Sequence, residues 1–248
     1  MRLIVTGAAG VLGSELIEQT LRADPQAEIV AVTRQPQALT RRWQGYANMK
    51  CCSWDELAQM PLADGDVIVH GAFPRQENGQ ELTEALDLTG TLLKKAGTSG
   101  KEIAWVDISS RSVYGQNEQT PWTETAELMP ASPYALAKAA QELLTRQAAE
   151  AYGFRYTVLR MAGLIGVGME ARLVSQMTMR AIHDRALTVM GGEQQFSMLD
   201  IRDAAAGIRA LLRKEPTAWR PLYNFGAEQA TRLKDIAPII QKEAQRLY

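Results

Sequence analysis

Residues 2–13 read Arg2-Leu3-Ile4-Val5-Thr6-Gly7-Ala8-Ala9-Gly10-Val11-Leu12-Gly13, a short apolar run that enters a glycine-rich turn and then a helical pattern from Ser14 to Ala23. The first glycine permits a tight turn, and the later ones let backbone approach a pyrophosphate. The helix start that follows offers unpaired N–H groups with a partial positive charge. The stretch therefore predicts a dinucleotide-binding turn, with the pyrophosphate against Gly7, Ala9, Gly10, Val11, Leu12 and Gly13. The alternative is that the glycines serve only close strand-to-helix packing.

The same rhythm continues outward. Apolar runs at Leu3–Val5, Ile29–Val32, Val67–Val69, Ile103–Val106 and Tyr156–Leu159 alternate with helical patterns at Ser14–Ala23, Glu81–Ala96, Pro133–Tyr152 and Asp203–Lys214. Continuous apolar strands between helices predict an α/β fold with a doubly wound parallel sheet, whose ligands lie at the carboxyl ends of the strands. Leu222–Phe225 reads as a further strand and Leu233–Leu247 as a final helix. We expect a dinucleotide-binding domain over 1–163 and a small C-terminal substrate lobe over most of 164–248, with 198–226 returning to the first domain.

Composition narrows the function. The 248 residues carry 27 Lys+Arg against 28 Asp+Glu, a net charge of −1 that does not favour nucleic acid or an anionic membrane. With 46% hydrophobic residues a full core is available. No run approaches the ~20 apolar residues of a membrane span, and the apolar opening is too short for a secretory leader, so a cytoplasmic location is expected. Cys51 and Cys52 are adjacent and predict no disulfide framework, and His70 and His183 stand outside any zinc-type cluster, so no metal is expected.

At the end of the second strand, an acidic side chain would receive the adenosine ribose hydroxyls of NAD. Thr33-Arg34 stand there instead. Arg34 can pair with a 2′-phosphate, so NADP is preferred over NAD; an ordinary solvated charge beside Arg41 and Arg42 is the alternative. The strand from Ile103 ends in Ser109-Ser110, and Tyr134 and Lys138 follow four residues apart on one helix face. A neighbouring ammonium favours the phenolate of Tyr134 and makes it usable for proton transfer, while Ser110 can hold the substrate oxygen. Taken alone, a Tyr-x-x-x-Lys spacing is as common on helices with a core tyrosine and a solvated lysine.

Together these elements resemble the extended short-chain dehydrogenase/reductases, in particular the NAD-dependent epimerase/dehydratase family. The matching residues are Thr6–Gly13, His70-Gly71-Ala72, Ser110–Gly115, Pro133–Lys138, Phe196–Ala204 and Tyr223–Gly226. The resemblance implies a Rossmann-type domain, catalytic Ser110, Tyr134 and Lys138, and further cofactor contacts at Gly71, Ala72, Ser109 and Met161. It also implies a homodimer formed through the helices at Glu81–Ala96 and Pro133–Tyr152. Departures bear on substrate. Asp87 replaces an asparagine, and Phe196 stands where an arginine would meet a nucleotide-sugar diphosphate. Arg111-Ser112 replace the Asp-Glu pair of dehydratases, Met161 to Gly163 depart from the usual segment after Arg160, and Tyr248 closes an abbreviated lobe or a truncated chain.

The expectation is an NAD(P)-dependent oxidoreductase that interconverts alcohol and ketone on a small substrate, a sugar among the candidates. Its rivals are a nucleotide-sugar epimerase and a dinucleotide-sensing protein without turnover. His70 reads as a packed histidine, Asp203 as a helix cap or packing residue, and Trp122 as either a loop anchor or an entrance residue. Met169, Met177, Met179, Met190 and Met198 read as core, with an adaptable pocket as the alternative.

Overall fold

The computed structural model describes residues 1–74, 78–115, 121–170, 172–184, 187–189 and 191–247, with residue 247 described by its backbone alone. In chain order the elements begin β1 (Arg2–Thr6), α1 (Val11–Ala23), β2 (Glu28–Val32), α2 (Pro36–Arg42), β3 (Met49–Cys52), α3 (Trp54–Gln59) and β4 (Val67–His70). They continue α4 (Gly79–Thr98), β5 (Ala104–Ser110), a 3-10 turn (Arg111–Tyr114), α5 (Pro133–Tyr152) and β6 (Arg155–Met161). Then come β7 (Gly163–Ile165), α6 (Leu173–Asp184), β8 (Gln195–Phe196), β9 (Met198–Asp200), α7 (Ile201–Leu212), β10 (Leu222–Phe225), β11 (Thr231–Arg232) and α8 (Leu233–Leu247).

The chain forms two compact units, one of residues 1–161 and 205–224, the other of 162–204 and 225–248. The returning segment is shorter than the 198–226 expected, because Met198–Asp200 pairs in parallel with Gly163–Ile165 in the second unit.

The first unit is built on a seven-stranded sheet ordered β10-β6-β5-β4-β1-β2-β3. Every contact from β3 across to β6 is parallel. Apolar, largely β-branched strands tolerate burial on both faces, and β4 is buried along its whole length. Ile4, Val30, Ile68, Leu92, Leu93, Trp105 and Phe154 join in one buried cluster. Each large side chain there contributes on the order of 2 kcal/mol by leaving water. Register pairs Thr6 with Val32 and His70, and Ser110 with Met161, so the strands end together along one edge.

Local signals fix the helices on that frame. The Ser132 hydroxyl accepts the Ala135 N–H at the head of α5, Pro133 occupies its first turn, and Gly153 closes it at φ 79°. Ser53 and Glu56 cap α3 reciprocally.

In the second unit, α6 and α8 bury Met177, Ala181, Ile236, Ala237, Ile240 and Ala244 against each other. Thr231–Arg232 pair antiparallel with Gln195–Phe196. Phe196 is half-buried in this ribbon. Met198 packs against the same core and Met169 is buried, whereas Met179 is exposed; Met190 lies outside the described residues.

Candidate active site

Strand order reverses between β1 and β4, and in open α/β sheets that is where a crevice forms beyond the strand ends. The turn after β1 and the end of β4 meet there. A Cβ on Gly7 (φ +72°) would lie 2.8 Å from the Gly71 carbonyl and 2.9 Å from the Ala72 nitrogen, so only glycine fits. A Cβ on Gly13 would lie 2.4 Å from the Gly7 oxygen, which is why α1 can start so close to the strand. Gly10 is the N-cap of α1 and supplies no side-chain acceptor. Among the described residues no acceptor takes the N–H groups of Val11, Leu12 or Gly13. Open amides, a glycine cradle and a positive helix end fit a dinucleotide pyrophosphate, with Ala9 inside the same turn.

Hydrogen bonding locks this junction and determines the state of His70. The Thr89 hydroxyl donates its single proton to the Ala85 carbonyl at 2.7 Å, so it must accept from His70 Nε2–H at 2.9 Å. His70 Nδ1 then accepts from the Thr6 hydroxyl at 2.9 Å, and the Thr6 oxygen receives the Gly71 and Ala72 N–H groups at 3.2 Å each. His70 is a neutral packing residue that ties β1, β4 and α4 together. Burial, with repulsion from Lys138, pushes its pKa down to about 3.

At the end of β2, Thr33 is buried and its N–H donates to the Cys52 carbonyl at 3.0 Å, while Arg34 is exposed. Arg42, by contrast, is paired with Glu18. Cys52 is buried on the edge strand and burial pushes its thiol up to about 11, so it has no thiolate character at neutral pH.

Ser110 closes β5, and its Oγ accepts the Ser112 N–H at 3.2 Å and the Ser112 hydroxyl at 2.9 Å. Tyr134, half-buried, and Lys138, buried, lie one turn apart on α5. Lys138 Nζ donates to the Ile108 carbonyl at 2.8 Å, which ties the lysine to the strand that ends in Ser110. Phe73, just past β4, joins the two helical residues: its ring centroid lies 4.0 Å from Lys138 Nζ and 6.1 Å, edge-on, from the Tyr134 ring. Phe73 is absent from the expected site residues.

Two further buried groups were not expected either. Asp107 accepts from Gln141 Nε2 and from the Thr145 hydroxyl, and Gln141 Oε1 accepts from Lys138 Nζ at 2.9 Å. Burial pushes the Asp107 carboxyl above its ordinary range, with Lys138 pulling against it.

Glu142 receives Arg160 Nη2 at 2.8 Å and also the Ser109 hydroxyl. Arg160 Nη1 donates to the Tyr114 hydroxyl at 2.9 Å, and Tyr114 reaches Asn224 Oδ1 at 2.5 Å. Ser109, expected at the cofactor, thus directs its hydroxyl into this cluster. Trp122 is a loop anchor: it stacks on Tyr114 at 5.1 Å, and its carbonyl accepts from Asn224 Nδ2 at 2.8 Å. Met161 is buried at the end of β6. Arg111 is half-buried, and burial holds its guanidinium below its ordinary range.

Among the described residues, no group of three or more His, Cys, Asp or Glu could hold a metal, and no helix is long and apolar enough to cross a membrane. Asp203 is exposed in the first turn of α7.

The sequence profile of the NAD dependent epimerase/dehydratase family matches residues 3–226. Among curated relatives, the chain is 28% identical over 233 residues to dTDP-glucose 4,6-dehydratase of Streptomyces niveus, a match that spans 86% of this chain and 69% of that one. It is 24% identical over 263 residues to a trifunctional UDP-glucose 4,6-dehydratase/UDP-4-keto-6-deoxy-D-glucose 3,5-epimerase/UDP-4-keto-L-rhamnose-reductase of Arabidopsis thaliana. That match takes in 97% of this chain but 39% of the plant protein, so the chain spans about two fifths of its length. The UDP-glucuronic acid 4-epimerase of Bacillus cereus shares the fold, with a TM-score of 0.83 at 20% identity over 99% of this chain and 83% of that one. With residues 3–226 matched, the chain belongs to the NAD dependent epimerase/dehydratase family.

Proposed function

We propose that this chain interconverts alcohol and ketone at one carbon of a nucleotide-linked sugar, with epimerisation as the net outcome, and that Ser110, Tyr134 and Lys138 carry the step. The observation behind this reading is the lysine: Nζ is held at 2.8 Å by the carbonyl of Ile108, two residues before Ser110, one helical turn after Tyr134. A nicotinamide dinucleotide, when bound, supplies the hydride acceptor and donor. Tyr134 takes or returns the hydroxyl proton, Lys138 favours its phenolate, and Ser110 holds the substrate oxygen. Val11, Leu12 and Gly13 bind pyrophosphate through their amides. Relatives that act on nucleotide sugars support the substrate class. A dehydratase outcome is disfavoured because Arg111 and Ser112 follow Ser110 where an acidic pair would be needed. A sensor without turnover would need the glycine turn but not a buried lysine anchored beside a tyrosine.

A second reading concerns the cofactor. Arg34 is exposed beside Thr33 at the end of β2, where it can meet a 2′-phosphate, and this favours NADP. Incubating the protein and its Tyr134→Phe variant with UDP-glucose and either NAD or NADP, with chromatography of the sugar products, tests both. Epimer formed without net reduction, and lost in the variant, is expected. An unaffected variant overturns the role of Tyr134, and net accumulation of reduced cofactor restores the oxidoreductase reading.

A further inference from the structure

The strand that ends in Ser110 reads Ala104-Trp105-Val106-Asp107-Ile108-Ser109-Ser110, and its one charged residue is wholly buried. An ionised carboxylate in such a place needs compensation. Asp107 obtains it from two hydrogen bonds, one from Gln141 Nε2 and one from the Thr145 hydroxyl at 2.9 Å. Gln141 is equally buried, and its amide has one accepting and one donating end. The accepting end faces Lys138 Nζ at 2.9 Å and the donating end faces Asp107. Lysine can only donate, and an ionised aspartate can only accept, so the amide is fixed in one orientation between opposite charges.

We propose that Asp107, acting through Gln141, is a positioning residue for Lys138: it sets where the ammonium stands and how much positive charge it presents to the Tyr134 phenol. The inference deepens the reading of Tyr134 as the proton-transfer group and rests on it. The other charged and titratable groups packed around Asp107 do not take over its role. Glu142 on α5 is satisfied by Arg160 on β6, and His70 on β4 is neutral between two threonines. Lys138 is thus the cation that Asp107 answers, with Phe73 lying over it.

The test is the titration of the Tyr134 phenol, read as near-ultraviolet phenolate absorbance after subtraction of a Tyr134→Phe reference made in each background, on the full chain. Asp107→Asn removes a negative charge but keeps the shape, so the phenol should become more acidic, by roughly one pH unit or a tenfold change in ionisation constant. Gln141→Leu removes the amide that links Lys138 to Asp107 and leaves Nζ on the Ile108 carbonyl alone, so the phenol should titrate higher. Thr145→Val removes the other donor to Asp107 and so raises its carboxyl further; it should move the phenol in the same direction as Asp107→Asn, by less. Unmoved titrations in both Asp107→Asn and Gln141→Leu overturn the proposal, whatever happens to stability. If Asp107→Asn does not fold, Gln141→Leu decides alone, and an unmoved phenol there overturns it. Loss of Tyr134 function in the turnover assay is a separate result, so failure of the wider reading is distinguishable from failure of this one.

Discussion

The Phe73 ring lies 4.0 Å from Lys138 Nζ, so an aromatic residue past the end of β4 covers the ammonium that α5 delivers. The same ring meets Tyr134 edge-on. Such a cation–π contact contributes about 0.5–2 kcal/mol. Phe73→Ala should therefore lower turnover by roughly 2- to 30-fold at saturating cofactor. The same contact is lost from the folded state, so the unfolding temperature should also fall by a few degrees. Phe73→Tyr, which keeps a ring, should retain most activity. Steady-state rates beside a thermal melt decide this, and full activity in the alanine variant would remove Phe73 from the site.

His70 carries a pH signature. Its folded pKa is depressed to about 3, from an ordinary value of 6.5, because the buried ring stays neutral. The unfolded chain therefore takes up a proton first. Stability from this group is fully present above pH ~6.5 and is lost as pH falls from there towards 3. At pH 5 the loss is about 2 kcal/mol. His70→Gln, neutral throughout, should be less stable at pH 8 yet lose less on going to pH 5. Urea unfolding of both proteins at the two pH values measures the difference, and equal losses would mean that His70 is not the group responsible.

Much of this arrangement was legible in the sequence, and the illegible part has physical reasons. Gly7, Gly10, Gly13, Ser110, Tyr134 and Lys138 could be read because strand-to-helix turns and helical spacing are local patterns. The strand Met49–Cys52 and the helices at Pro36–Arg42 and Trp54–Gln59 were missed. Met-Lys-Cys-Cys has no β-branched residue, and its edge position is set by pairing with β2 rather than by its own preference. The Ser53–Glu56 capping box was the available signal for the third helix. Asp107 could have been flagged as a charge inside an apolar strand, and Gln141 and Glu142 as neighbours of Lys138 along the helix. Phe73 could not, since only the fold brings it to α5.

Arg34 is exposed beside the buried Thr33 at the end of β2. An exposed guanidinium that meets a phosphate is expected to contribute about tenfold in affinity. Calorimetric titration of cofactor-stripped protein should show tighter binding of NADPH than of NADH, and Arg34→Ala should remove that preference while leaving NADH affinity unchanged. Equal binding of the two by the unaltered protein would make Arg34 a solvated surface charge that does not discriminate the cofactors, and tighter binding of NADH would make NAD the preferred one.

The residues after Ser110 bear on elimination chemistry. A guanidinium stays protonated near neutrality even where burial lowers its pKa, as at Arg111, and a serine hydroxyl is a weak acid. Neither can alternate as acid and base. With dTDP-glucose and NAD, no dehydrated sugar should accumulate, although a dTDP-glucose 4,6-dehydratase is among the relatives. A dehydrated product in mass spectrometry would locate the acid and base elsewhere.

Assembly is testable on α4 and α5, which pack side by side in the first unit. Leu136 and Leu143 on α5 are 61% and 50% exposed, and Leu88 on α4 is 40% exposed, so apolar side chains remain uncovered on both helices. Leu136 and Leu143 stand seven residues apart, two turns along one face. Apolar residues recurring on one helix face suit a helix-to-helix interface between two copies. We predict a dimer in light scattering, converted to monomer by Leu143→Glu combined with Leu136→Glu. The exposed positions should leave the fold intact in far-ultraviolet circular dichroism. A monomer before substitution, or a dimer that survives it, would rule out these faces as the interface.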